Sequence, residues 1–130
     1  MRICLVGTLP DAGRAIHKGP ERTTIGLAEA LQECGHDVQV IADEGTPDAV
    51  GTRAHVLDIE SPPGAARLVE FAWRARNVIE PDDYDAVHAW RPIADTDVLS
   101  LHSIGMAEQV EARIPGTFSR QFLWGAKIER

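Results

Sequence analysis

Short apolar runs alternate along this chain with longer amphipathic stretches, the pattern made by strands and helices in turn. Arg2 to Val6 is a brief apolar run bounded by Gly7 and then Pro10, and it predicts a first strand. The next residues carry little periodicity until Lys18-Gly19-Pro20. From Glu21 to Cys34, the positions Thr24, Leu27, Ala28, Leu31 and Cys34 fall at helical spacing. Gly19 can cap this helix, Pro20 suits its first turn, and Glu21 meets the positive end of its dipole. Gly35 then stops it in the left-handed conformation that glycine tolerates, and His36 serves the turn.

Asp37 to Ala42 predicts a second strand and Ala54 to Ile59 a third. Ser61-Pro62-Pro63 opens a second helix that carries Leu68, Val69, Ala72, Trp73, Arg76 and Ile79 along its length. Tyr84 to Trp90 is a fourth strand, and Val98 to His102 a fifth after only a few residues. Thr117 caps a last helix through Phe118, Phe122, Leu123 and Ala126. This alternation predicts an α/β fold: a Rossmann-like, mostly parallel sheet of about five strands with helices on both faces. Right-handed crossovers favour the strand order 3-2-1-4-5. Ligands in such a sheet sit at the carboxyl ends of the strands where the order reverses. That crevice lies between strands one and four, so the loops 7–19 and 90–96 are the ones to watch.

Composition narrows the class. A length of 130 residues fits one domain, and 44% hydrophobic content is that of a folded protein. No apolar run approaches the ~20 residues of a membrane span, and the first residues lack the features of a signal peptide. A cytoplasmic location follows by default. The net charge of −7 argues against a general nucleic-acid binder. Cys4 and Cys34 are expected to be buried and reduced, and no Cys/His spacing predicts zinc.

The candidate chemistry gathers in the loops. The first loop ends at a helix start with Lys18 and Gly19, where free N–H groups and a cation can meet an anion. It is neither the G-x-G-x-x-G fingerprint nor a Walker loop. The alternative is an exposed loop whose glycines only serve its turns. His88-Ala89-Trp90-Arg91 ends the fourth strand, and its imidazole, indole and guanidinium suit a sugar or a phosphate. The alternative there is a satisfied histidine and a packed indole. His102 is a candidate catalytic group whose placement depends on strand direction. A parallel fifth strand needs a crossover of about a dozen residues, and 91–97 is shorter. An antiparallel strand turns His102 away from the crevice and brings Asp95 and Asp97 nearer to it. An extended return brings His102 to His88. No carboxylate pair has an acid–base arrangement, and no Ser–His or Cys–His nucleophile pattern is present.

Taken in order, these motifs resemble a known family. Lys18-Gly19-Pro20-Glu21-Arg22, then Leu27-Ala28-Glu29-Ala30-Leu31, then Gly35-His36-Asp37-Val38 are similar to the N-terminal domain of the GT-B fold, retaining glycosyltransferases of family 4. That domain commonly has a Gly-Gly loop, an L-A-x-x-L helix and a G-H-x-V turn. Tyr84-Asp85-Ala86-Val87-His88 resembles the family's D-V-V-H strand. The short step to Asp97-Val98 and the tail through Phe118 to Arg130 look most like the branch with the lipopolysaccharide-core glucosyltransferases.

The resemblance implies transfer of a sugar from a nucleotide donor with retention, without a metal or other cofactor. It places Lys18 and Gly19 near the donor diphosphate and the acceptor, with Lys18 where the family has its first glycine. It aligns His102 with a histidine near the reacting sugar and puts His88 in the same cleft. The implied partners are a nucleotide-sugar and a saccharide or lipid-linked acceptor, in cell-surface polysaccharide synthesis, at the inner membrane surface if the acceptor is lipid-linked. Residues 1–130 correspond to the acceptor-side domain only, and the donor-binding domain has no counterpart in them. Such a half is expected to be inactive or weakly active alone, and a donor-domain subunit or a homo-oligomer would cover its open sheet edge. The competing expectation is a non-catalytic binding or assembly module that pairs with a separate donor-binding chain.

Overall fold

The computed structural model describes residues 1–11, 19–91, 93 and 95–100. The described elements are β1 (Arg2–Gly7), α1 (Gly19–Glu33), β2 (Asp37–Ala42), β3 (Arg53–Val56), α2 (Ala65–Val78), β4 (Ala86–Ala89) and β5 (Val98–Leu99). The strands form one sheet in the order β3-β2-β1-β4-β5, and every neighbouring pair is parallel. The expected class and strand order are therefore those of the structure.

The reason for that order lies in β1. All of its residues after Arg2 are buried, so both faces of the strand need cover. Alternation sends Ile3 and Leu5 to one side and Cys4 and Val6 to the other. Ile3 and Leu5 join Val38, Val40 and Ala42 of β2 beneath Ile25 and Ala28 of α1. Cys4 and Val6 join Ile41, Val87 and Ala89 beneath Phe71 and Ala75 of α2. The helices thus occupy opposite faces. Fully burying a side chain such as Leu5 or Phe71 contributes about 1.5–3 kcal/mol, and these two layers together form the core.

The C-terminus of α1 closes as predicted. Gly35 takes φ +84°, its N–H donates to the Gln32 carbonyl at 2.8 Å, and the His36 N–H reaches back to Leu31 at 3.0 Å. These paired bonds are a Schellman motif, which satisfies carbonyls that the helix leaves open. Cys34 is the capping residue of that motif and is exposed, which corrects the expectation that it is buried. Its helical spacing from Leu31 continues a face that the turn has already carried out of the core.

Both ends of β3 shift from their expected places. β3 starts one residue early and stops at Val56. The Leu57 N–H still donates to Ala42 at 2.9 Å, but β2 ends there, and the following backbone bonds to side chains of α2 instead. In α2 the apolar face is narrower than its sequence implies: Phe71 and Ala75 are buried, while Val69 is 69% and Trp73 65% exposed.

β5 is only two residues long and runs parallel to β4, with His88 opposite Val98 and Ala89 opposite Leu99. This decides between the two directions left open by the sequence. A long crossover is unnecessary because so short a strand starts beside the end of β4 and the chain backtracks very little. The connection is pinned onto β4. The Asp97 carboxylate accepts the Val87 N–H at 2.7 Å, the Thr96 hydroxyl donates to the Val87 carbonyl at 3.1 Å, and the Ser100 N–H donates to Ala89 at 2.9 Å. Asp95 takes φ +60°, a left-handed turn that aspartate tolerates better than most residues. The expected last helix lies outside the described residues.

Burial also separates the two thiols chemically. Cys4 is fully buried, and loss of water pushes its pKa up to about 12, so it stays a neutral thiol. In the native protein a thiol-specific disulfide reagent is expected to label Cys34 at once and Cys4 only after denaturant is added. Rapid labelling of both without denaturant would show that the β1 layer opens freely.

Candidate functional site

Each inner strand of the sheet ends in a polar residue at its carboxyl edge. β1 is followed by Thr8, β2 by Asp43, and β4 by Trp90 and Arg91. The parallel register brings these ends together. The Asp43 side chain is 6% exposed and pairs with Arg91 at 2.8 Å from Oδ2 to Nη2. The Thr8 hydroxyl donates to Asp43 Oδ1 at 2.9 Å, and Arg91 also reaches the Thr8 oxygen at 3.3 Å. The buried carboxylate therefore has a partner on each oxygen, and the guanidinium it holds is fixed over the end of β1. A buried charge needs such partners, because leaving it unpaired costs several kcal/mol.

Arg67, from the first turn of α2, completes this edge. Its Nη2 donates to the Asp43 carbonyl at 2.8 Å, and its Nη1 reaches the carbonyls of Ile59 at 3.3 Å and Ser61 at 3.4 Å. Asp43, Glu44, Pro63, Gly64, Arg67, Leu68 and Arg91 surround a cavity of about 490 Å³. The loop that forms its wall is tied down by Glu70, whose carboxylate accepts the N–H groups of Glu60 at 3.1 Å and Ser61 at 2.8 Å. Arg74 pairs with Glu70 at 2.7 Å. The amino edge of the sheet holds a smaller cavity of about 210 Å³ lined by Arg2, Asp37, Arg53 and Tyr84. There the charges satisfy one another: Arg53 Nη2 lies 2.7 Å from both oxygens of Asp37.

The positions named from the sequence divide as follows. Arg91 lines the carboxyl-edge cavity. Gly19 is the first residue of α1, and no atom of the described residues lies within 4 Å of where a Cβ would stand. Trp90 is 9% exposed and belongs to the core layer beneath α1. It stacks on His88 with centroids 4.6 Å apart and planes at 24°. A Cβ on Gly7 would fall 3.1 Å from the Trp90 ring and 2.6 Å from Thr24 Oγ1, so a glycine ends β1 to let the indole close over it. His88 is half-buried, with Nε2 2.8 Å from Ser100 Oγ. Lys18 and His102 lie outside the described residues. Asp97, one of the two acids considered for the crevice, instead caps the backbone of β4.

Thr8, Asp43 and Arg67 were missed by the sequence reading. A usable signal exists for the first two: each is the first polar residue after a buried strand, where a doubly wound sheet exposes its crevice. Arg67 has no such signal, because on a helical wheel it is simply a basic residue in a first turn. Among the described residues, no group of three or more His, Cys, Asp or Glu is placed to hold a metal ion. No helix among them is long and apolar enough to cross a membrane.

A parallel sheet wound on both faces, with a polar crevice at its carboxyl edge, defines a Rossmann-like domain. The chain belongs to Glycosyltransferase Family 4, whose model matches residues 17–118. Among solved structures it is similar to WaaG, a glycosyltransferase involved in lipopolysaccharide biosynthesis, with a TM-score of 0.69 at 17% identity. That match covers 85% of this chain and 29% of the other, so the chain spans under a third of the length of the structure it resembles. At that identity the match shows the fold, which is the Rossmann-like, GT-B-type N-terminal domain. No curated protein matches the sequence.

Glu70 gives the site a testable pH dependence. The Ser61 hydroxyl and then the Ser61 and Glu60 N–H groups hold its carboxyl at about 2, against an ordinary 4.5. A pKa depressed by folding stabilises the protein above the unfolded value, and that stability is lost as pH falls toward the folded one. The stability difference between wild type and Glu70→Gln is thus expected to be full above pH 4.5 and to shrink between 4.5 and about 2. Urea midpoints across that range measure it. A difference unchanged down to pH 2 would remove the charged hydrogen bonds as its cause.

Proposed function

We propose that this domain is the acceptor-side half of a glycosyltransferase that takes its sugar from a nucleotide donor. The family match over residues 17–118 carries this reading, and the crevice at the carboxyl edge of the sheet supports it. In this reading the acceptor, a saccharide free or lipid-linked, rests on the edge formed by Thr8, Asp43, Arg67 and Arg91. Part of the nucleotide-sugar approaches the start of α1 at Gly19, where the open N–H groups of the helix attract its diphosphate. Arg91 and His88 serve the cleft in this reading, and the resemblance to the family assigns the catalytic role to His102. A donor-binding half, on the same chain or on another, supplies the second wall and most of the affinity for the donor. In this reading no metal is needed, because the N–H groups at the start of α1 help to neutralise the leaving diphosphate.

Residues 1–130 by themselves are therefore expected to bind UDP-, ADP- and GDP-sugars only in the millimolar range, or not detectably, by titration calorimetry. Submicromolar binding with turnover of a donor would overturn the half-site reading. Gly19→Leu meets no atom of the described residues at its Cβ, so it tests the ligand rather than the described fold. Roughly tenfold weaker binding, equivalent to about 1.4 kcal/mol, is expected by chemical-shift titration. Unchanged affinity would remove the start of α1 from the site.

A further inference from the structure

Resting on the glycosyltransferase reading, we propose that the cavity between α2 and the strand ends is a phosphate subsite that selects an acceptor bearing a negatively charged group. The feature behind it is the state of Arg67. Every hydrogen bond it makes among the described residues goes to a neutral backbone carbonyl: those of Asp43, Ile59 and Ser61. No carboxylate among them lies within 4.0 Å of it. Its guanidinium is thus held in a fixed position, with no carboxylate among the described residues paired to it, on the wall of a 490 Å³ cavity.

Arg91 faces the same cavity. Asp43 and Thr8 engage only its Nη2, which leaves Nε and Nη1 without a partner among the described residues. A planar guanidinium anchored on one nitrogen presents its other N–H groups in a geometry that suits phosphate oxygens. Asp43 offsets the charge of Arg91, so Arg91 contributes directed N–H groups to the cavity and Arg67 the charge. Glu44 is exposed at the rim, where solvent and salt screen it. The capping residue of α2 is Gly64, at φ 133° and without a side-chain cap. The first N–H groups of the helix therefore add positive potential from the same side.

Position separates this subsite from the donor. α1 and α2 cover opposite faces of the sheet. A diphosphate at the start of α1 and an anion at the start of α2 are consequently two binding events on two sides of the crevice. The anion at α2 belongs to the second substrate.

The test uses the 130-residue protein labelled with ¹⁵N and titrated with glucose 6-phosphate, glucose and UDP. Glucose 6-phosphate is expected to shift the amides of residues 64–68 and the Nε–H signals of Arg67 and Arg91, with glucose leaving them in place. Arg67→Gln should weaken that response at least tenfold, while Arg53→Gln, at the opposite edge, should not change it. Equal responses to glucose and glucose 6-phosphate, or an unaltered response in Arg67→Gln, would overturn the subsite. Movement of the same signals by UDP and not by the phosphosugar would overturn its assignment to the acceptor. Should Arg67→Gln not fold, the wild-type shift map decides alone, with shifts confined to Arg2 and Arg53 counting against the proposal. Glucose 6-phosphate binding here, with no sugar nucleotide binding in any assembly, would keep the anion site and remove the glycosyltransferase reading.

Discussion

A strand buried on both faces must be covered twice, and β1 imposes that condition on everything around it. Its alternating side chains fill two separate apolar layers, so one helix cannot satisfy it. The chain answers with α1 between β1 and β2 and with α2 between β3 and β4. Placing the two on opposite faces obliges β4 to pair on the free side of β1. The reversal of strand order follows, and with it the crevice where the strand ends diverge. Apolar burial, which has no direction of its own, thereby fixes where a polar site can form.

The polar side of the structure begins where that burial ends. At the carboxyl edge the first residues past β1, β2 and β4 are Thr8, Asp43 and Trp90-Arg91. A carboxylate drawn under the edge by Asp43 requires a cation and a donor, and Arg91 and Thr8 supply them. The same network ties three strands that are distant in sequence. On the α2 side, Arg67 and Glu70 take up carbonyl and N–H groups of the 59–61 segment that leaves the sheet. Structure and candidate chemistry are thus served by one set of side chains. The loop must be held by α2 for the wall of the cavity to exist, and the group that holds it also faces the cavity.

Legibility in the sequence tracked how local each cause was. The stop of α1 at Gly35 could be read because glycine at a positive φ is a property of one residue and its neighbours. β1 and β2 could be read because buried parallel strands are continuous apolar runs. Trp73 and Val69 misled because helical spacing cannot tell which side of a broad apolar stripe meets the sheet, and Phe71 and Ala75 took that role. Cys34 misled for a related reason, since periodicity does not know that the Schellman turn has already left the core. The direction of β5 was undecidable because it depends on how far the chain must backtrack, and that depends on the length of the strand it forms.

By itself the sequence determined the fold class, the strand order and the edge at which the crevice opens. These follow from the spacing of apolar residues and from the handedness of crossovers, which act alike in any chain with this pattern. It also carried the ordered motifs through which the family can be recognised. Only the tertiary structure decided which polar groups meet at that edge. Thr8, Asp43, Arg67 and Arg91 are far apart along the chain, and their pairing depends on register and on the angle at which α2 crosses the sheet. Electrostatic partnership falls off over a few ångströms, so it is set by the final packing and leaves no periodic trace in the sequence.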